Sequence, residues 1–185
     1  AGVDGLGRVR TVLAGGEANA LRFTCTQAPA GGPAALAIDY FALTPIIAEG
    51  AIEIEELKLL RQENANAQHQ ALGHPLSGGL QLFCPGQRGQ FVELLLPVEE
   101  AGEYALVIYF TKAADYGIVT AEIDGAAVGE KFNGFNNGVV PSGGIGFGTV
   151  ALARGDHVLA FRCRDKDARS INYFMGIDCL TLARR

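Results

Sequence analysis

The sequence predicts an all-β chain, an antiparallel β-sandwich of the jelly-roll kind preceded by a partial repeat of the same fold. Three observations carry this. Short apolar runs of period two recur along most of the chain, Gly-, Pro-, Asn- and Asp-rich breaks separate them at near-regular intervals, and segments with helical periodicity are nearly absent. The chain has 185 residues, 49% of them hydrophobic and 19% charged, enough to bury one core and part of a second.

The elements follow in order. AIEIEELKLL (51–60) alternates Ile52 and Ile54 with Glu53 and Glu55 and reads as a strand with one wet face. GGLQLFC (78–84), QFVELLLPV (90–98), GEYALVIYFT (102–111), YGIVTAEIDG (116–125), GIGFGTVAL (144–152), DHVLAFRCR (156–164) and YFMGIDCLTL (173–182) continue the pattern. Between them CPGQRGQ, EEAGE, IDGAAVGE, NGFNNGVVPSGG and LARGDH hold the residues that reverse a backbone. Residues 46–185 are long enough to form one complete module.

The first 45 residues read differently. Gly16-Glu17 leads into LRFTC, a polar loop and Ile38-Asp39, just as Gly155-Asp156 leads into LAFRC, a polar loop and Ile177-Asp178. Cys25 and Cys163 each stand two positions after a phenylalanine, so the two ends register as an internal repeat. Only the closing strands of the first copy are present, and two strands alone cannot bury their apolar faces. Residues 1–45 are therefore expected to complete a sheet. The favoured source is upstream chain of a larger parent with tandem modules; strand donation between subunits of a homo-oligomer is the alternative.

Composition and motifs exclude several functions. Fifteen Lys and Arg against twenty Asp and Glu give a net charge of −5, which leaves no basic field for nucleic acid or an anionic membrane. No apolar run has the length of a membrane span, so membrane insertion is not expected. Cys25, Cys84, Cys163 and Cys179 lack the spacing of a zinc site and lie in apolar runs, where buried free thiols are favoured over disulfides. His69, His74 and His157 have no nucleophile partner, since Ser77 and Ser142 stand in PLSGG and VPSGG and not in G-x-S-x-G. SGGIGFG (142–148) precedes a strand and is no phosphate loop. The chain is not expected to be an enzyme by itself; as part of a glycoside hydrolase it would supply stability and interface.

The polar loops hold the candidate ligand residues Asp115, Tyr116, Asn133, Phe135, Asn136, Asn137, Asn172 and Tyr173. Flat aromatics stack on sugar rings while amides and carboxylates meet hydroxyls. The competing explanation is turn chemistry, because Asn-Gly loops are also what positive φ requires, and D-Y-G (115–117) fits a framework turn.

Taken together, IEIEELKLL, AGEYALVIYFTKAADYG and GDHVLAFRCRDKDARSINYFMGID, within Ile52–Leu182, resemble galactose-binding-like β-sandwich modules appended to secreted bacterial glycoside hydrolases. They are most similar to accessory modules of the difructose-anhydride hydrolase group, and more distantly to carbohydrate-binding module families six and thirty-five. The resemblance implies a noncatalytic module of an extracellular or periplasmic protein with a glycan as partner. A structural module that packs on a neighbouring protein domain or subunit is the alternative. It also implies a structural Ca²⁺ held by Glu53, Glu55 and Asp178, the positions that match an E-x-E on the first strand and an aspartate on the last. Ca²⁺ takes six to eight oxygens, and carboxylates two apart on a strand point the same way. The other reading makes Glu53 and Glu55 the solvated face of a strand. Asp39 has no E-x-E partner, so a second site is not expected.

Overall fold

The structure, a computed structural model, describes residues 47–185 and the backbone of two short strands, β1 (Gly2–Val3) and β2 (Val9–Arg10). The chain divides into two compact units, Ala1–Ala42 and Leu43–Arg185. In the first, β1 and β2 pair antiparallel, Gly2 opposite Arg10 and Val3 opposite Val9. The repeat expected over 1–45, with Cys25 and Asp39, lies outside the described residues.

The second unit consists of β3 (Ile52–Glu53), a 3-10 turn (Ile54–Glu56), β4 (Leu59–Ala65), β5 (Gln68–Gln70), a second 3-10 turn (Ser77–Gly79), β6 (Gln81–Cys84), β7 (Gly86–Val98), β8 (Gly102–Lys112), β9 (Ile118–Ile123), β10 (Ala126–Asn133), β11 (Val140–Leu152), β12 (Gly155–Asp165) and β13 (Met175–Arg184). One antiparallel sheet has the order β10-β9-β12-β7-β4; the other runs β11-β8-β13-β6-β5, with β3 also paired to β13. No helix among the described residues is long and apolar enough to cross a membrane.

The two sheets form a sandwich because alternate residues of each strand are apolar and face one shared core. Val92, Leu94 and Leu96 of β7 and Leu159 and Phe161 of β12 enter from one layer, Leu106, Ile108 and Phe110 of β8 and Met175, Ile177 and Leu180 of β13 from the other. Phe110 joins the layers: it stacks on Phe132 at 4.3 Å between centroids and meets Phe161 edge-on at 6.0 Å. The β9–β10 hairpin closes through Asp124-Gly125, both at positive φ (51° and 80°), the two-residue turn whose twist suits antiparallel strands.

Three expectations change. The segment 51–60 is not one strand: β3 ends after two residues, the chain makes a 3-10 turn, and β4 begins in the opposite sheet. Its glutamates are not a wet face, since Glu53 and Glu55 are 2% and 6% exposed. Residues 126–130, expected as turn within IDGAAVGE, instead open β10, which continues the hairpin. Cys84, Cys163 and Cys179 are buried free thiols.

Candidate functional site

Among the described residues two constellations concentrate polar chemistry. The first sits where β13 changes neighbours along one edge. Its start pairs with β6, Ile177 opposite Leu82, and its next stretch with β3, Cys179 opposite Glu53. Asp178 lies at the handover. On the other edge, β13 advances from Ile177 to Leu180 while β8 moves only from Phe110 to Ile108, so β13 carries one extra residue there, a β-bulge. The bulge resets the alternation. Met175 and Ile177 before it and Leu180 after it all join the core, which leaves Asp178 and Cys179 outside the apolar cluster although both are fully covered.

The PLSGG segment closes over these residues. The Ser77 amide donates to Asp178 Oδ1 at 3.0 Å and its hydroxyl donates to Glu53 Oε1 at 2.8 Å. Gly78 follows at φ 64°, and a Cβ there would stand 3.2 Å from both Glu53 Cδ and Glu55 Oε1. Only glycine combines this left-handed backbone with so close an approach. Glu55 Oε2 is buried without a hydrogen-bond partner. Oxygens of Glu53 and Asp178 and the Cys179 sulfur lie within 4.8 Å of one another.

Three carboxyl groups thus share a dry pocket, which opposes their ionisation twice, through lost hydration and through mutual repulsion. Burial, followed by the Glu53, Glu56 and Asp178 charges, pushes Glu55 up to about 8 against an opposing backbone hydrogen bond. Burial and then Glu53 raise Asp178 to about 7, opposed by the Ser77 amide. A pocket of this kind holds either protons or a cation. Its carboxylate oxygens are of the hard donor class that fits Ca²⁺, and the unsatisfied Glu55 oxygen supplies a donor site. The sequence pointed to these three acids but not to Ser77, Gly78 or Cys179; the Ser-Gly-Gly turn and the Asp-Cys pair were their only signals.

The second constellation is a set of three loops, 113–117, 133–138 and 165–174. Main-chain hydrogen bonds knit them together: Ala113 N to Gly134 O, Asn136 N to Ala113 O, Gly134 N to Gly117 O, Gly117 N to Phe174 O, Phe174 N to Asp115 O and Ile171 N to Ala114 O. All the predicted ligand positions fall on these loops, in different circumstances. Tyr116 is 5% exposed, its ring stacked near Phe83 and its hydroxyl accepting from Gln81 Nε2, so it belongs to the framework. Asp115 serves through its carbonyl, and Asn172 and Tyr173 accept from Ser170 Oγ and Gln90 Nε2 through theirs. Asn136 donates its amide to Gly138 O, a turn-forming bond. Asn137 is exposed.

The remaining positions draw in residues that the sequence did not single out. Asn133 Nδ2 donates to Asp167 Oδ2 at 3.0 Å, and Arg169 forms a two-point ion pair with the same carboxylate at 2.8 and 3.0 Å. The Arg169 hydrogen bonds hold Asp167 well below the usual carboxylate range. The guanidinium lies 4.4 Å from the Phe135 ring centroid, and Lys166 Nζ lies 5.1 Å from that of Tyr173. The result is a partly exposed surface of two aromatic rings, each beside a cation, with amides at its border.

No family model matches the sequence, and no curated protein matches it. Among solved structures it is similar to part of a xanthan lyase from Paenibacillus, with a TM-score of 0.67 and 20% identity over 81% of this chain and 14% of that one. A family 35 carbohydrate-binding module from an environmental isolate overlaps with a TM-score of 0.49 and 12% identity, over 71% of this chain and 90% of that one. The corresponding module from Clostridium thermocellum gives 0.45 and 18%, over 70% and 93%. The chain spans 14% of the length of the xanthan lyase. The likeness to the xanthan lyase is one of fold.

Proposed function

We propose that residues 43–185 are a noncatalytic carbohydrate-binding module of a larger extracellular protein, steadied by a structural Ca²⁺. The observation that carries the glycan reading is the knitted three-loop surface. It gathers Phe135 and Tyr173, two rings able to stack on pyranose faces, beside Arg169, Lys166 and Asn133, whose N–H groups suit hydroxyls. Preformed main-chain bonds hold the loops before any ligand arrives, which lowers the ordering cost of binding. Glu53, Glu55 and Asp178 would hold the cation. When bound, it would offset two of the three negative charges of the buried acids and link β3 to β13; Ser77 orients two of the carboxylates and Gly78 keeps the space open.

The test is affinity electrophoresis of the full chain through gels containing a panel of soluble polysaccharides. At least one should retard the wild type, and Phe135→Ala should migrate freely while melting as the wild type does. Retardation by none, or equal retardation of the variant, refutes the reading. An assembly module that docks on a neighbouring domain or subunit is the second reading, favoured by Leu59 and Leu60, which are 40% and 42% exposed on β4 at the end of its sheet. Light scattering separates the two, since Leu60→Lys would then dissociate an oligomer.

A further inference from the structure

Among the described residues three cysteines are buried free thiols, and one of them differs from the others. Cys84 and Cys163 belong to the apolar core; Cys179, next to the β13 bulge, does not. Its sulfur lies within 4.8 Å of carboxylate oxygens of both Glu53 and Asp178, and its backbone is in register with Glu53. The independent observation is Glu55, 94% buried by its 6% exposure, with one carboxylate oxygen 3.2 Å from the Cβ position at Gly78 and the other without a hydrogen-bond partner.

We propose that Cys179 makes this pocket a mixed thiolate–carboxylate site for a thiophilic divalent cation of the zinc or cadmium class, with Glu53, Glu55 and Asp178 as oxygen donors. The proposal rests on the reading of the pocket as a cation site and names the cation class it prefers. Ca²⁺ uses oxygen donors at six to eight positions, and a thiol contributes nothing to it. Zn²⁺ and its heavier congener accept sulfur and carboxylate oxygen together, typically with four ligands, and this pocket supplies one sulfur and two carboxylates within 4.8 Å of one another, with the Glu55 carboxylate beside Glu53 at Gly78. Binding converts the Cys179 thiol to a metal-bound thiolate and releases its proton to water, together with whatever protons the ligating carboxyl groups held, so each ligand that enters protonated gives up one H⁺. Ser77 keeps its place in either case, because it donates to Glu53 and Asp178 and does not compete for the cation.

The experiment titrates the full chain under reducing conditions with Cd²⁺, following the ultraviolet thiolate-to-metal charge-transfer band, and in parallel follows melting in Ca²⁺. The expected result is a band that saturates at one Cd²⁺ per chain. In Cys179→Ser the band should vanish and Cd²⁺ affinity fall by about tenfold or more, at least the loss seen when a supporting contact of a metal site is removed. Ca²⁺ should still raise the melting temperature of that variant. A band that survives in Cys179→Ser assigns the thiolate to another cysteine and overturns the proposal. Stabilisation by Ca²⁺ with no Cd²⁺ band in the wild type overturns it too, while leaving the pocket a cation site. No response to either ion removes both readings. Should the variant fail to fold, cadmium-113 NMR of the wild type decides: a resonance shifted by sulfur ligation supports the proposal, and one in the all-oxygen range overturns it.

Discussion

Replacing Gly117 by alanine tests how the loop surface is built. Gly117 is buried at the start of β9, donating its amide to Phe174 O and accepting at its carbonyl from Gly134, both at 2.9 Å. A Cβ at this position would run into Cys163 Sγ and lie 3.1 Å from Asp165 O and 3.2 Å from Tyr173 Cα. Two of these neighbours are backbone, so the space cannot be found by turning a side chain. Overpacking of this kind costs about 1–3 kcal/mol, and the backbone contacts place Gly117→Ala near the upper end, about 3 kcal/mol. Cys163→Ala alone should cost about 1 kcal/mol, the loss of a buried sulfur and of its 3.4 Å contact with Asp165 O. In the double variant the nearest obstacle is gone, so the combined cost should fall short of the sum by at least about 1 kcal/mol. Urea denaturation followed by circular dichroism in reducing buffer measures all three, since the chain has no tryptophan. Additive losses, or an alanine variant as stable as the wild type, would refute this account of the packing.

Other outcomes follow from the same structure. Phe110→Ala, which empties the ring that joins the two sheets, should cost about 3–5 kcal/mol in the same denaturation assay. Ca²⁺ at a hundredfold excess over its dissociation constant should stabilise the wild type by about 2.7 kcal/mol, and Asp178→Asn should remove most of that rise in a melting experiment. His157 is held by the Ala153 carbonyl at 2.9 Å and Asp124 Oδ2 at 2.6 Å, which raise its proton affinity in that order above the usual 6.5. Asp124 is lowered below its ordinary 3.8, first by the Val158 amide and then by His157. A raised imidazole stabilises the fold fully below pH 6.5 and loses that contribution as pH rises through its folded value; the lowered carboxylate contributes above 3.8 and loses it on acidification. Between those limits both are in force. Because Asp124 is half exposed, the loss above neutrality should be under about 1 kcal/mol, and melting His157→Gln beside the wild type at pH 6 and pH 9 should show it missing from the variant.

The strands that cross the core were legible in the sequence because each alternates between two environments. β8 and β12 follow GEYALVIYFT and DHVLAFRCR closely, with Leu106, Ile108 and Phe110 inward and their neighbours out. β4 and β5 carry LLRQENA and QHQ, almost wholly exposed at the ends of their sheets, so no alternation marks them. β10 was hidden by Asp124-Gly125, a signal that marks where a hairpin turns and not how far it continues. At the carboxylate pocket the E-x-E pattern implied a strand geometry that Glu53 and Glu55 do not have. Glu53 ends a strand, Glu55 lies in a 3-10 turn, and their carboxylates approach the same point only because Gly78 lets the PLSGG turn close over them. Such convergence depends on a bulge and a long-range turn, and neither has a periodicity to read. The contact of Arg169 with the Phe135 ring was equally invisible, since it joins loops far apart in the chain, whereas the Arg169–Asp167 ion pair is local to one loop.

The pairing of β3 with β13 also decides how this unit responds to force. The strands are antiparallel, Ile52 opposite Leu180 and Glu53 opposite Cys179, so chain leading into β3 and chain leaving β13 depart from the same end of the pair. Tension applied through both would peel the strands apart like a zipper, one rung after another, and would not load the rungs together in shear. The ladder offers only two rungs before the carboxylate pocket is reached. A cation bridging Glu53 and Asp178 would therefore act as a rivet at the point where peeling starts. The mechanical strength of the module would then be set by the occupancy of one small pocket, while the phenylalanine-rich core bore almost no load.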